Sequence, residues 1–191
     1  MDIEELERLI ANDENVHLEL KKTTGELKDG MHTACAFLNG AGGWLVFGVA
    51  PKSLKILGQE VTDNTQREIA QALSGLEPAV SIDIQYIDVP DRLGSQVIAM
   101  YFEAFVWGTA PYTYHGSPYY KVESTTKLMP RNMFEERLRA NKPNYYAWER
   151  QSADDITIDD MDEKLIRGAI RLGVDCHHVL NVVRWSSEYL V

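Results

Sequence analysis

Two glutamates five residues apart, Glu14 and Glu19, with Lys21 two residues further on, are the side chains in this sequence best suited to chemistry. Carboxylate oxygens are the ligands that hard divalent cations take, and a cation held by two of them can assist an in-line displacement. In a continuous strand residues five apart point to opposite faces. The two carboxylates therefore meet only if the chain bends between Asp13 and Asn15, and Asn15 suits such a bend. A plainer assignment pairs Glu19 with Lys21 or Arg67 across a sheet and leaves Glu14 capping a helix end or standing in solvent, contacts worth little energy.

A second group of residues suits phosphate. Lys21, Lys22, Lys52, Lys55, Lys121, Lys127 and Arg131, with the hydroxyls of Ser124, Thr125 and Thr126, could hold a nucleic-acid backbone without reading bases. Such binding is weak and salt-sensitive. The same lysines also read as a solvated rim. Tyr112, Tyr114, Tyr119 and Tyr120 could stack on unpaired bases, although packing across a hairpin is the more ordinary use.

Other chemistries find no support. The turn Gly40 to Gly43 follows a helical pattern instead of opening one, and no phosphate-loop lysine accompanies it, so nucleotide triphosphate binding is not expected. The five histidines lack ligand spacing on any one element, and Cys35 and Cys176 carry no paired spacing for zinc or a disulfide framework. No serine sits in a nucleophile elbow.

Helical spacing places Ile3, Leu6 and Ile10 behind a cap at Asp2, with a stop near Asn12. Val16 to Leu20 alternates as a half-buried strand that puts Glu19 and Lys21 on one face. Met31, Cys35 and Leu38 mark a helix over 29–39 opened by Asp29, and Trp44 to Val49 reads as a central strand covered on both faces. A short return strand at Leu54–Gly58, a helix capped near Thr62 with Ile69, Leu73 and Leu76 as its stripe, and strands at Val80–Val89 and Gln96–Phe102 follow. A second hairpin is expected from Tyr112–Tyr114 to Pro118–Val122 with tyrosines stacked across it. Residues 130–140 form the last helix of the core, and Asp159 caps a final helical segment.

Glu14, Glu19 and Lys21, in an E-x-x-x-x-E-x-K element, precede Ala36, Phe37, Asn39, Gly42, Gly43, Leu45, Gly48 and Val49, in an A-F-x-N-x-x-G-G-x-L-x-x-G-V element. In this order and spacing the chain resembles the AlbA-2 domain of Schlafen-type proteins. The resemblance implies an α/β (α+β) fold with a mixed, mostly antiparallel sheet flanked by helices, and a tyrosine-rich hairpin followed by Lys121, the Ser124 to Thr126 cluster and a last helix. It implies a nucleic-acid-binding, DNA-binding role in transcriptional regulators. In RNA-cleaving members two glutamates and a later aspartate form an acidic metal site, which implies Glu14 and Glu19 as catalytic and metal-binding residues. The aspartate that often follows the glycine-valine step is replaced here by Ala50-Pro51, with Glu60 and Asp63 as the acids that could stand in for it.

At 191 residues and 45% hydrophobic content the chain can bury one core and carry an appendage. The expected division is a nucleic-acid-binding domain over 1–142 and an acidic linker with a helical extension over 143–191. Net charge is −10, which argues against a protein that coats nucleic acid through its overall field, an objection that the charge distribution softens. The acids concentrate at the ends: residues 1–14 and 151–191 hold fourteen acids and five bases, leaving fifteen acids and fourteen bases between. No apolar run suits a membrane span and no signal peptide opens the chain, so a cytoplasmic protein is expected. The reading is a nucleic-acid-binding module without an organic cofactor. Its alternatives are a nuclease using magnesium or manganese at Glu14 and Glu19, and an interaction module whose tail around Trp185, Tyr189 and Leu190 supports a homo-oligomer.

Overall fold

The computed structural model describes residues 1–11, 13–141 and 162–175. The chain divides into two compact units, Met1–Pro143 and Asn144–Val191. The first unit is built on one four-stranded sheet in the order β1-β2-β7-β6. Its strands are β1 (Leu18–Lys21), β2 (Gly43–Phe47), β6 (Ile84–Asp88) and β7 (Gln96–Phe102). β1 runs parallel to β2 and the other pairs are antiparallel, so the sheet is mixed and mostly antiparallel.

The pleat sorts side chains onto two faces. Leu18, Leu20, Val46, Val97 and Ala99 pack under helix α1 (Ile3–Ile10), whose Leu6 and Ile10 are buried. An Asp2–Glu5 capping box starts that helix: Glu5 N–H donates to Asp2 at 2.8 Å and Asp2 N–H to Glu5 at 3.0 Å. The opposite face, with Leu45, Phe47, Ile98, Met100 and Phe102, packs against helices α2 (Leu27–Leu38) and α3 (Asp63–Leu73). Helix α2 is preceded by a single 3-10 turn at Thr24–Glu26 and therefore begins two residues before Asp29. Thr62 caps α3, as its sequence predicts.

Smaller pieces complete the unit. Strands β3 (Val49–Ala50) and β4 (Lys55–Ile56) form the expected return, and β5 (Leu76–Glu77) takes Leu76 out of the α3 stripe where helical spacing had put it. The tyrosine segment is rearranged. β8 (Thr113–Tyr114) pairs with β5, and β9 (Tyr119–Val122) pairs with β10 (Thr125–Leu128), so the serine-threonine cluster leads into a strand of its own instead of following a Tyr112–Val122 hairpin. Tyr119 stacks on His32 at 4.4 Å, not on a tyrosine across the turn. Helix α4 (Arg131–Asn141) closes the unit.

In the second unit α5 (Glu163–Asp175) is the described element, and Asp162 caps it through Lys164 N–H at 2.8 Å. The expected cap at Asp159 and the tail around Trp185 lie outside the described residues. Among the described residues no helix is long and apolar enough to cross a membrane.

Candidate functional site

The chain does bend before β1. Asp13 takes a positive φ of 58°, Asn15 Nδ2 donates to the Asp13 carbonyl at 2.9 Å, and His17 N–H returns to Asn15 Oδ1 at 2.8 Å. A pair of backbone bonds between Asn15 and Leu18 closes the loop. The result turns Glu14 back along the outer edge of β1, where its Oε1 accepts the Leu20 N–H at 3.0 Å. Because β1 is an edge strand, its Leu20 N–H faces away from β2, and the Glu14 carboxylate supplies the partner a neighbouring strand would have given. Burial raises the Glu14 carboxyl above its ordinary value, and the Glu19 charge adds to the effect against the opposing Leu20 hydrogen bond and the two nearby lysines. The two glutamates therefore share one neighbourhood.

Glu19 points to the α2 face with only 9% of its surface exposed. Each of its oxygens is taken by an ammonium: Lys21 Nζ at 3.0 Å from Oε1 and Lys121 Nζ at 2.8 Å from Oε2. Lys21 reaches on to Asp29 in the first turn of α2, at 2.5 Å. Burial pulls the Lys21 ammonium down, but Asp29 and Glu19 outweigh it and hold its pKa above the ordinary 10.5. Lys121 also donates to the Asn15 carbonyl at 3.0 Å and the Ser124 carbonyl at 3.3 Å, and it lies 5.2 Å from the Phe37 ring centroid. With 3% of its side chain exposed, Lys121 ties the bend, the edge strand and the β9–β10 turn together.

The nominated phosphate contacts separate into two sets. In the β9–β10 register Lys121 opposes Thr126, and Thr126 turns inward to share a 2.8 Å hydroxyl bond with Thr33 of α2. Thr125 and Lys127 stand on the other face of that hairpin, and with Ser124 and Lys22 they are exposed. Thus Lys21, Lys121 and Thr126 are engaged by partners within the fold, and Lys22, Ser124, Thr125 and Lys127 are exposed.

Arg67 donates to the Asp63 carbonyl at 3.3 Å instead of meeting Glu19. Neither Glu60 nor Asp63 hydrogen-bonds or ion-pairs with this network among the described residues. The acid that joins the network is Asp29, through Lys21, and its type and position suggest only a helix start. Its signal was an acid in the first helical turn, eight residues after Lys21, at a short strand-to-helix connection. The partnership of Lys121 with Glu19 had no local signal, since 102 residues separate them.

Among the described residues no three of the types His, Cys, Asp and Glu gather closely enough to hold a metal ion. A cation at Glu19 would also have to displace two buried ammonium groups.

The asparagine and glycines after α2 explain themselves in the same region. Asn39, 1% exposed, donates to the carbonyls of Tyr112 at 2.7 Å and Tyr119 at 3.0 Å and accepts the Tyr112 N–H at 2.8 Å. At Gly43 an added Cβ would sit 2.5 Å from the His17 carbonyl oxygen, and at Gly42, with φ +73°, it would lie 2.8 Å from the backbone of Phe102 and Ala104. These residues bring β2 and the tyrosine segment close enough for Lys121 to reach β1.

Among solved structures, the crystal structure of the DIP2311 protein from Corynebacterium diphtheriae is similar at 23% identity and a TM-score of 0.43. The match covers 65% of this chain and 24% of that one. No curated protein sequence matches. The family model described as Schlafen, AlbA_2 matches residues 14–130, a span that runs from the glutamate at the bend through β10 and takes in every residue of the ion-pair network, and the chain belongs to that family.

Proposed function

We propose that this chain is a nucleic-acid-binding module that holds the phosphate backbone and does not cleave it. The observation that carries the reading is the closure of Glu19 by Lys21 and Lys121. An acid so engaged is a strut, and Lys22, Lys127, Ser124 and Thr125 around it remain to meet phosphates. Lysine and hydroxyl contacts to phosphate position a duplex or a strand without selecting sequence. A DNA-binding role in transcriptional regulation is the finer form of this proposal, with base selection supplied by another element or partner.

Gel retardation of labelled hairpin RNA and duplex DNA across a salt series, with and without manganese, tests it. Retardation without cleavage is expected, weakening as salt rises. Lys127→Ala should weaken binding evenly across sequences and lower the salt slope by about 1. Cleavage that vanishes in Glu19→Ala would overturn the reading in favour of a metal-dependent nuclease. Absence of retardation at low salt would remove nucleic acid as the partner.

A further inference from the structure

The segment between β7 and β8 carries an exposed aromatic side chain that the core does not use. Asn39 and Gly40, which end α2, hold three pieces of chain together there. The Asn39 side chain binds the carbonyls of Tyr112 and Tyr119, its own carbonyl accepts from Arg137 Nη1 of α4, and the Gly40 carbonyl accepts the Phe105 N–H at 2.9 Å. The loop 103–111 is thus fixed beside the start of the β9–β10 hairpin. A tight turn forms its tip, where the Val106 carbonyl accepts the Thr109 N–H at 3.1 Å and the Thr109 hydroxyl at 2.7 Å. Gly108 takes φ +91° in that turn, a conformation that glycine adopts freely. Trp107 stands on the turn 62% exposed, with Val106 beside it 64% exposed.

A guanidinium lies at the root of this loop. Arg137 Cζ is 4.4 Å from the Phe105 ring centroid, and Phe105 meets Trp107 edge to face at 6.4 Å. Arg131 and Arg139 of the same helix are both paired with Glu135. Arg137 instead has a carbonyl for its partner and no carboxylate among the described residues, with Glu136 acting on it only through space. Its Nε is enclosed and unpartnered, so the Nη2 end is the one left for a ligand. Burial disfavours its charge, a cost that an anion alongside would offset.

An indole held out on a fixed turn, with an uncompensated guanidinium at the foot of that turn, suits a ligand that joins a flat π face to a negative charge. A nucleotide of a single strand has both, because its base is free to stack and its phosphate adjoins it. In a duplex the bases are already stacked on one another. An apolar protein surface would cover Trp107 and Val106 but leave the guanidinium without an anion. Resting on the nucleic-acid reading above, we propose that Trp107 is a stacking platform for one unpaired base and that Arg137 takes the adjoining phosphate, so that the module favours single-stranded over duplex nucleic acid.

Fluorescence anisotropy of the full chain at low salt tests this with three labelled probes: oligothymidylate, a duplex of equal length, and an abasic oligomer with the same phosphates. Oligothymidylate should bind tightest. Trp107→Ala should weaken it about tenfold, the loss expected of one stacked base, and Trp107→Tyr should keep most of the affinity, while duplex binding changes little in either variant. Both substitutions alter an exposed tip, so their urea midpoints should match the parent's. Undiminished oligothymidylate binding by Trp107→Ala, an equal loss on the duplex, or abasic binding as tight as oligothymidylate would overturn this proposal and leave phosphate binding in place. Failure of the parent chain to bind any of the three would overturn the nucleic-acid reading and this proposal together.

Discussion

Glu19 and Lys121 form an ion pair whose members are almost entirely withdrawn from water. Pairs of this kind are expensive to break, because the surviving charge stays buried without its counterpart. Lys121→Met should therefore lower stability by roughly 3 kcal/mol, read as a fall in the urea midpoint. Restoring neutrality with Glu19→Gln in the same chain should recover part of that loss. Glu14 behaves differently, since its carboxyl sits above the ordinary value of 4.5, chiefly through burial. A raised carboxyl binds its proton more tightly in the native state than in the unfolded chain. The associated stability is complete below the unfolded value and is lost as pH rises through the folded one. Glu14→Gln, which keeps an acceptor for the Leu20 N–H, should erase this dependence. Urea midpoints of variant and parent should then converge as pH falls from neutral toward 4.5.

At the scale of elements, the glycine turn and Asn39 decide whether the site is assembled at all. Gly42→Ala places a side chain on a left-handed backbone and against two backbone atoms, costing roughly 1–3 kcal/mol from conformation alone. Thermal unfolding should show the loss, and binding of nucleic acid at low temperature should survive it. Much of this level was legible from local pattern. The α1 cap, the α3 cap, β7 and the bend at Asp13 to Asn15 follow from residues whose partners lie within a few positions. What escaped the sequence was pairing between distant segments. The alternation of Tyr112 to Val122 predicts strands but not that β8 would join β5 or that β9 would join β10. The pairing of Glu19 with Lys21 is local and was among the expected ones, whereas nothing local says that Lys121, 102 residues away, takes the other oxygen. Asp29 was hidden for a related reason: its helix starts earlier than its capping residue type suggested.

For the whole molecule, both buried clusters close within residues 1–143. A fragment of those residues should fold alone, with a single cooperative urea transition and the near-ultraviolet signal of packed aromatics. The net charge of −10 is spread unevenly, so under the proposed function nucleic acid would approach a local patch against an unfavourable overall field, and association should be slow by the standard of basic binding proteins. The bend at Glu14 has one more consequence, and it concerns time. The Glu14 carboxylate reaches a backbone group six residues away, whereas Lys121 must arrive from 102 residues away. Local contacts close early in folding and distant ones late. A nascent β1 is therefore expected to have its open edge occupied by the Glu14 carboxylate before Lys121 arrives to pair with Glu19.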